Sequence, residues 1–337
     1  MGRFIIQRIL WMFLVLAVVS LITFTLMHAV PGGPFTQEKR LPAATLEQLN
    51  AKYNLDAPLY VQYLDYVGDI AIPVVTTGKQ SAYLDHQYLV NISLPFGDKA
   101  TLRWMNFGPS YKSVSRTVSD IFRDNLPVSI KLGAAALLVT VLVGFPLGVV
   151  SALKRNTIVD YIAIGVAVVG VSVPVIILAP ALQYGLGVEL GWLPVSGWGD
   201  LKHLILPAIA LGIADAAIIA RLTRASLLQV LNQDYIRTAR AKGLPRSMVI
   251  FVHALKNASL PVVTVIGLDL PFLLAGAIVT ERIFAWPGMG RLFLDHVGRG
   301  DTPVVMGILM LIAVAVVVFQ LLTDVAYAWL DPRIRYN

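Results

Sequence analysis

The sequence predicts an all-α membrane protein with six transmembrane helices and a long extracytoplasmic segment between helices 1 and 2. Three observations predict it. Hydrophobic residues make up 57% of the chain and charged residues only 14%, a balance too apolar for an ordinary soluble protein. Runs of about 20 apolar residues recur along the chain, each long enough to cross hydrocarbon as a helix. The basic residues between those runs alternate consistently from one side to the other.

The first run, Ile9 to Ala29, follows Arg3 and Arg8 and ends at Pro31-Gly-Gly-Pro34. It is too long for the core of a cleaved signal and reads as an uncleaved first span. Residues 35 to 125 are far more polar. Within them, Val74 to Thr77 and Tyr88 to Ile92 hold β-forming residues bounded by Pro73, Gly78 and Pro95. That pattern predicts a small hairpin in a folded cap between Ala71 and Thr101. Val114, Val118, Ile121 and Phe122 then share one helical face, predicting an amphipathic helix that lies on the membrane or packs on the outer segment. The remaining spans are Leu132 to Leu153, Tyr161 to Gln183 with Pro174 and Pro180 inside it, Leu204 to Ala220, Ser259 to Thr280, and Thr302 to Thr323. The chain thus divides into an N-terminal transmembrane helix (1–30), an extracytoplasmic segment with a folded cap and amphipathic helix (31–125), and a five-helix core (126–337) whose long polar loop covers 223–258.

Arg3 and Arg8, Lys154 and Arg155, the cluster from Arg221 to Lys256, and Arg333 with Arg335 fall on one side of six spans. The positive-inside rule makes that side cytoplasmic and places both termini there, in a multi-pass plasma membrane protein. The net charge of +7 is explained by this topology, so no nucleic-acid partner is expected; lipid is. The chain has no cysteine, which excludes disulfides and thiolate metal sites. No phosphate loop, His-Glu-x-x-His or Gly-x-Ser-x-Gly occurs, and the five histidines are scattered. No catalytic residue, metal site or cofactor of its own is therefore assigned.

Two acids lie inside spans, Asp215 and Asp269. A carboxylate in hydrocarbon costs about 2.5–3.5 kcal/mol on insertion scales and normally faces a polar interior. One reading puts them on the translocation path; the other has them near an interface or bonded to a neighbouring helix. The second is preferred for Asp215, less than two turns from Arg221, and both stand for Asp269. Further on, Trp286-Pro287-Gly288-Met-Gly290 predicts a tight outer turn: Pro287 fixes φ, Gly288 and Gly290 supply conformations closed to other residues, and Trp286 anchors it at the interface.

The polar loop carries the second distinctive stretch. Asp234, Tyr235, Arg237, Thr238, Ala239, Arg240 and Lys242 lie in a run of helix formers whose apolar residues, Ile236, Ala239 and Leu244, are too sparse for a buried helix. Gly243 suits a left-handed helix end, and Pro245 suits the start of the next helix at Arg246. The local prediction is helix, sharp turn, helix, either as a docking element or as a solvated basic loop that only sets topology.

Arg237-Thr-Ala-x-x-x-Gly243 followed by His253-Ala-Leu-Lys-Asn257 resembles the coupling loop of the oligopeptide, dipeptide and nickel permease family of binding-protein-dependent ABC importers. The broader importer consensus has Glu-Ala-Ala at Arg237 to Ala239 and Leu-Pro at Leu255-Lys256. The stretch Glu281-Arg-Ile-Phe-Ala-Trp-Pro-Gly-Met-Gly-Arg-Leu292 resembles a signature of the same family, with Arg282 in place of Thr. Asp301-x-Pro-Val-Val-x-Gly307, Leu330-Asp-Pro-Arg-Ile-Arg335 and the Arg8 to Pro34 region agree as well. The resemblance implies a type I importer fold and a bacterial or archaeal inner membrane. It implies that Asp234 to Arg246 contact an ATPase. The implied partners are a second homologous permease, two cytoplasmic ATPase subunits that bind ATP and Mg, and an extracytoplasmic substrate-binding protein. Peptides are the implied cargo, with nickel chelates, glutathione and sugars as alternatives. The rival readings are an ATP-independent secondary transporter or channel and a membrane-embedded enzyme.

Overall fold

A computed structural model describes residues 2–29, 56–77, 84–95, 100–113, 116–275 and 277–330. Among the described residues, four helices are long and apolar enough to cross a membrane: Ile6–Ala29, Val118–Leu153, Leu201–Leu231 and Thr302–Val325. Two bent helix pairs, Ile158–Ser172 with Val175–Glu189 and Arg246–Ala258 with Leu260–Pro271, bring the candidates to as many as six. The described residues fall into two compact units, one drawn from Met1–Phe4, Val128–Gly290 and Ala315–Asn337, the other from Ile5–Pro127 and Arg291–Val314.

The second of these units holds helix α1 (Gly2–Ala29) from Ile5 onward, helix α2 (Leu59–Ala71) and a small antiparallel sheet. The strands are β1 (Val74–Thr76), β2 (Tyr88–Ser93) and β3 (Thr101–Asn106), in the order β1-β3-β2. The predicted hairpin is therefore corrected: its two arms do not pair with each other but flank β3, with Val75 opposite Leu102 and Ile92 opposite Leu102. Arg103 is why a third strand fits here. Its side chain is fully buried, and it pairs with Asp85 at 2.8 Å and donates to Thr76 Oγ1 at 2.7 Å, so both outer arms help satisfy the charge that the central strand carries.

Of the two readings of the predicted amphipathic helix, packing on the outer segment is the one observed. Val114 lies outside the described residues, but Val118, Ile121 and Phe122 are buried at the start of α3 (Val118–Leu153), the same helix that runs on as a span. Phe122 meets Phe107 edge to face at 5.1 Å, and a Cβ at Gly307 would come within 2.9 Å of its ring. Ser119 Oγ donates to the Gln87 carbonyl at 2.8 Å and Thr117 to that of His86. These bonds use the free polar groups of the outer segment, so the helix packs on protein rather than on lipid.

In the first unit, α3 packs on α6 (Leu201–Leu231) at backbone distance. A Cβ on Gly144 would lie 2.4 Å from the Ala216 carbonyl oxygen, and one on Gly148 2.5 Å from that of Ala220. Small residues allow such an approach, which in lipid replaces the missing hydrophobic drive with dispersion contacts. A π-turn at Thr140–Gly144 interrupts α3 here and brings Thr140 Oγ1 to donate to the Gly212 carbonyl at 3.1 Å. Where the sequence predicts a third span with Pro174 and Pro180 inside it, the chain forms two helices, α4 (Ile158–Ser172) and α5 (Val175–Glu189). They meet at 107° because Val173, forced extended ahead of Pro174, ends α4. Pro180 sits inside α5 without a comparable break.

Asp301 organises the junction before the last long helix. It is fully buried, accepts from Ser110 Oγ at 2.5 Å and from the Tyr111 N–H at 3.1 Å, and lies 3.0 Å from His296 Nδ1. Burial pushes its pKa up, but the hydrogen bonds from His296, Ser110 and Tyr111 outweigh it and hold the carboxyl below the usual range. A depressed native pKa stabilises the fold above the unfolded-state value of about 4 and loses that contribution as pH falls through the native value. Asp301→Asn should therefore lower the thermal midpoint of the detergent-purified chain at pH 7, by the equivalent of about 1.5–3 kcal/mol. The gap should close as the melts are taken into the acid range below about pH 4.

Candidate functional site: a basic helix seated on the membrane helices

The helix predicted in the polar loop is α7 (Asp234–Ala241). Gln233 caps it in extended conformation, and Asp234 in its first turn favours the helix dipole and lies 3.5 Å from Arg237. The Gly243 N–H reaches the Arg240 carbonyl at 3.0 Å and the Leu244 N–H that of Ala239 at 3.4 Å. Gly243 takes φ +76°, the left-handed end that the sequence predicts. Pro245, extended, then caps α8 (Arg246–Ala258), within which a π-turn covers Val249–Ala254.

As its sparse apolar residues predict, the helix as a whole is not buried. Those residues nevertheless bury one face: Ile236 is fully buried and Ala239 nearly so, against Val149 and Ala152 of α3, Leu227 of α6, and Val249, Ala254 and Ala258 of α8. Leu244 packs on the same cluster. Two inward positions one turn apart suffice because the partners beneath are mostly small. Tyr235 is tied to α8 by Asn257 Nδ2, which donates to its hydroxyl at 2.8 Å. Asp234, Arg237, Thr238, Arg240, Lys242 and Arg246 all face outward. The result is a short helix locked by its apolar side and presenting a mostly cationic one.

Above it lies a buried ion pair that sequence reading missed. Arg224 of α6 grips Asp160 of α4 in bidentate fashion, Nε at 2.8 Å and Nη2 at 2.9 Å, and Asp160 also accepts from Ser151 Oγ and the Asn156 N–H. Asp160 stood just before the expected third span and Arg224 inside a basic cluster, so neither looked unusual. Asp215 of α6 and Asp269 of α9 (Leu260–Ala275) are partly exposed. Neither makes a hydrogen bond or ion pair among the described residues.

The outer turn also differs from expectation. Trp286 is not an interfacial anchor: it is buried, donates through its indole N–H to the Val128 carbonyl at 3.2 Å, and meets Trp198 edge to face at 4.7 Å. Gly288 and Gly290 are required for close approach rather than for positive φ, which falls on Ala285 at 52°. A Cβ at Gly288 would sit 2.3 Å from Glu281 Oε1, and one at Gly290 2.8 Å from the Ile278 backbone. Glu281, fully buried, accepts from Ser129 Oγ at 2.6 Å, and that hydroxyl accepts from the Met289 N–H at 2.7 Å. Among the described residues no group of histidines and carboxylates could hold a metal ion.

Residues 144–336 match the family described as "Binding-protein-dependent transport system inner membrane component", and residues 1–133 match the N-terminal component of the same systems. The chain belongs to this family. Across its whole length it is 39% identical to the dipeptide transport system permease protein DppB of Bacillus subtilis, covering 99% of that protein. It is 40% identical to the oligopeptide transport system permease protein OppB of Salmonella typhimurium, again end to end. Among solved structures, the MetNI methionine ABC transporter in an inward-facing conformation superposes with a TM-score of 0.53. That match covers 63% of this chain and 96% of the other at 18% identity, and it shows a shared fold. The chain is thus a multi-pass helical membrane component of a binding-protein-dependent importer, with the fold of ABC importer permeases.

The seat of α7 is open to test. Ile236→Ala should cost about 2–5 kcal/mol, as for a buried aliphatic truncation, whereas Arg240→Ala on the outward face should change stability by less than about 0.5 kcal/mol. Thermal melts of the two purified variants should rank in that order; equal midpoints would show that the helix is not seated.

Proposed function

We propose that this permease is the transmembrane subunit of an ATP-driven importer of di- or oligopeptides. It pairs with a homologous permease to form the translocation path, and it binds no ATP or metal itself and catalyses no reaction. Two cytoplasmic ATPase subunits bind ATP and Mg, and an extracytoplasmic substrate-binding protein delivers the cargo. Six spans place both termini and α7 in the cytoplasm. The peptide assignment is supported by end-to-end similarity to permeases named for dipeptide and oligopeptide transport.

The observation that carries the coupling role is the two-sided geometry of α7. A docking ATPase meets Arg237, Thr238, Arg240, Lys242 and Arg246, while Ile236 and Ala239 pass its displacement to α3, α6 and α8. Arg224 and Asp160 carry it on to α4. The bundle then alternates access around its centre, with Asp215 and Asp269 beside the path, where their charge attracts the amino group of a peptide.

Gly243 separates coupling from folding. A Cβ there would meet nothing within 4 Å, so the cost of a side chain is purely conformational. Gly243→Val should strain the turn by about 1–2 kcal/mol, while Gly243→Asn, tolerant of left-handed backbone, should not. In proteoliposomes with the ATPases and binding protein, the valine variant should assemble but hydrolyse ATP without proportionate uptake, and asparagine should restore uptake. Full substrate-stimulated uptake by Gly243→Val, or uptake without ATPase subunits, would overturn the proposal.

The topology is tested separately. Single cysteines replacing Lys154 and Lys202 should label from opposite sides of the membrane, Lys154 from the cytoplasm. The absence of native cysteine leaves no background.

A further inference from the structure

Helix α2 belongs to the segment that the sequence assigns outside the membrane, yet it touches α1 well below the outer end of that span. The hydroxyls of Tyr63 and Ser20 are 2.9 Å apart, and Tyr63 Oη donates to the Ala17 carbonyl at 3.3 Å. Phe24 meets the Tyr63 ring at 5.4 Å and that of Tyr66 at 6.4 Å. Ala17, Ser20 and Phe24 precede Ala29, the last residue of α1, by distances of roughly 7 to 18 Å along the helix axis. A candidate span of 24 residues from Ile6 to Ala29 has a length close to that of the hydrocarbon core. These contacts therefore lie within the thickness of one leaflet.

The faces of α2 agree with that depth. At 100° per residue, Tyr63, Tyr66 and Ile70 form the side toward α1, and Ile70 is buried. The adjoining side carries Tyr60, 68% exposed, and Leu64, 63% exposed, and the chain continues apolar and exposed through Ile72 and Val75. Asp65 and Asp69 lie on the far side. An apolar arc that runs on from a helix–helix contact, opposite a carboxylate edge, is the pattern of a helix lying in an interface. On α1 itself, Leu14 and Leu21, which adjoin the Ala17, Ser20 and Phe24 face at helical spacing, are more than half exposed. The stripe on α2 therefore continues an apolar surface that already faces hydrocarbon.

We infer that α2 is embedded in the leaflet at the Ala29 end of α1, with Tyr60, Leu64 and Ile72 against acyl chains and Asp65 and Asp69 toward the headgroups. The polar segment after the first span thus returns to the membrane before forming its sheet, bracing α1 from the side. That this leaflet is the outer one rests on the proposed topology; the embedding does not.

Spin labels on single cysteines at Leu64 and Asp65, in the assembled importer in phospholipid nanodiscs, test it. The Leu64 label should collide readily with dissolved oxygen and poorly with a water-soluble nickel chelate, giving an oxygen-to-nickel accessibility ratio several-fold above that at Asp65. Adding the substrate-binding protein should leave the Leu64 ratio unchanged. A Leu64 label open to the nickel chelate would overturn the inference. So would one shielded from both reagents, or one whose accessibility falls on adding binding protein, since either means that protein covers the stripe. Neither ratio depends on which leaflet is involved, so failure of the cysteine-labelling topology is distinguishable from failure here.

Discussion

The backbone contact between α3 and α6 is the constraint on which the rest of the first unit depends. Lipid offers helices no hydrophobic reason to associate, so they stay together through fit and a few polar bonds. Gly144 and Gly148 remove the side chains that would hold the backbones apart, and the π-turn aims Thr140 across the gap. The seat of α7 is built from the ends of these two helices, Val149 and Ala152 on one and Leu227 on the other. The position of the basic helix relative to the spans is thus inherited from glycines within about two turns of its seat.

The same arrangement explains how a helix of two turns holds a single orientation. Isolated helices this short are marginal in water. Burial of Ile236 and Ala239, the Asn257 bond to Tyr235 and the left-handed turn at Gly243 together fix it in one orientation. The π-turn at Val249–Ala254 follows at once, where an extra residue in the helical turn lets α8 bring both Val249 and Ala254 under α7. Charge stays on the surface, where water solvates it.

What the sequence made legible was local. Gly243 and Pro245 announce their turn because each restricts its own backbone, and Pro174 breaks its helix for the same reason. The apolar runs announce themselves by length. What stayed hidden depends on residues far apart in the chain. Glu281 could be named as the start of a resembling stretch but not as a buried acid, since Ser129, which donates to it, is 152 positions away. Trp286 read as an interfacial anchor because nothing nearby reveals that Val128 accepts its N–H. Strand β3 was passed over because Arg103 interrupts it, and distant partners such as Asp85, Asn91 and Thr76 make that arginine acceptable in a core. The seat of α7 was missed through a rule of thumb about apolar density that ignores how small the partners are.

The Asp160–Arg224 pair bears on how the chain is assembled during synthesis. The two residues are separated by 64 positions, so at about 5–20 residues per second the aspartate waits roughly 3–13 seconds for its arginine. Through that interval only its near neighbours, the Ser151 hydroxyl and the Asn156 N–H, are present to hold it. These local donors hold the turn between α3 and α4 while α5 and about the first three quarters of α6 emerge. Arg224 then arrives to a carboxylate already aimed at it, and the ion pair closes around a turn that the ribosome made first.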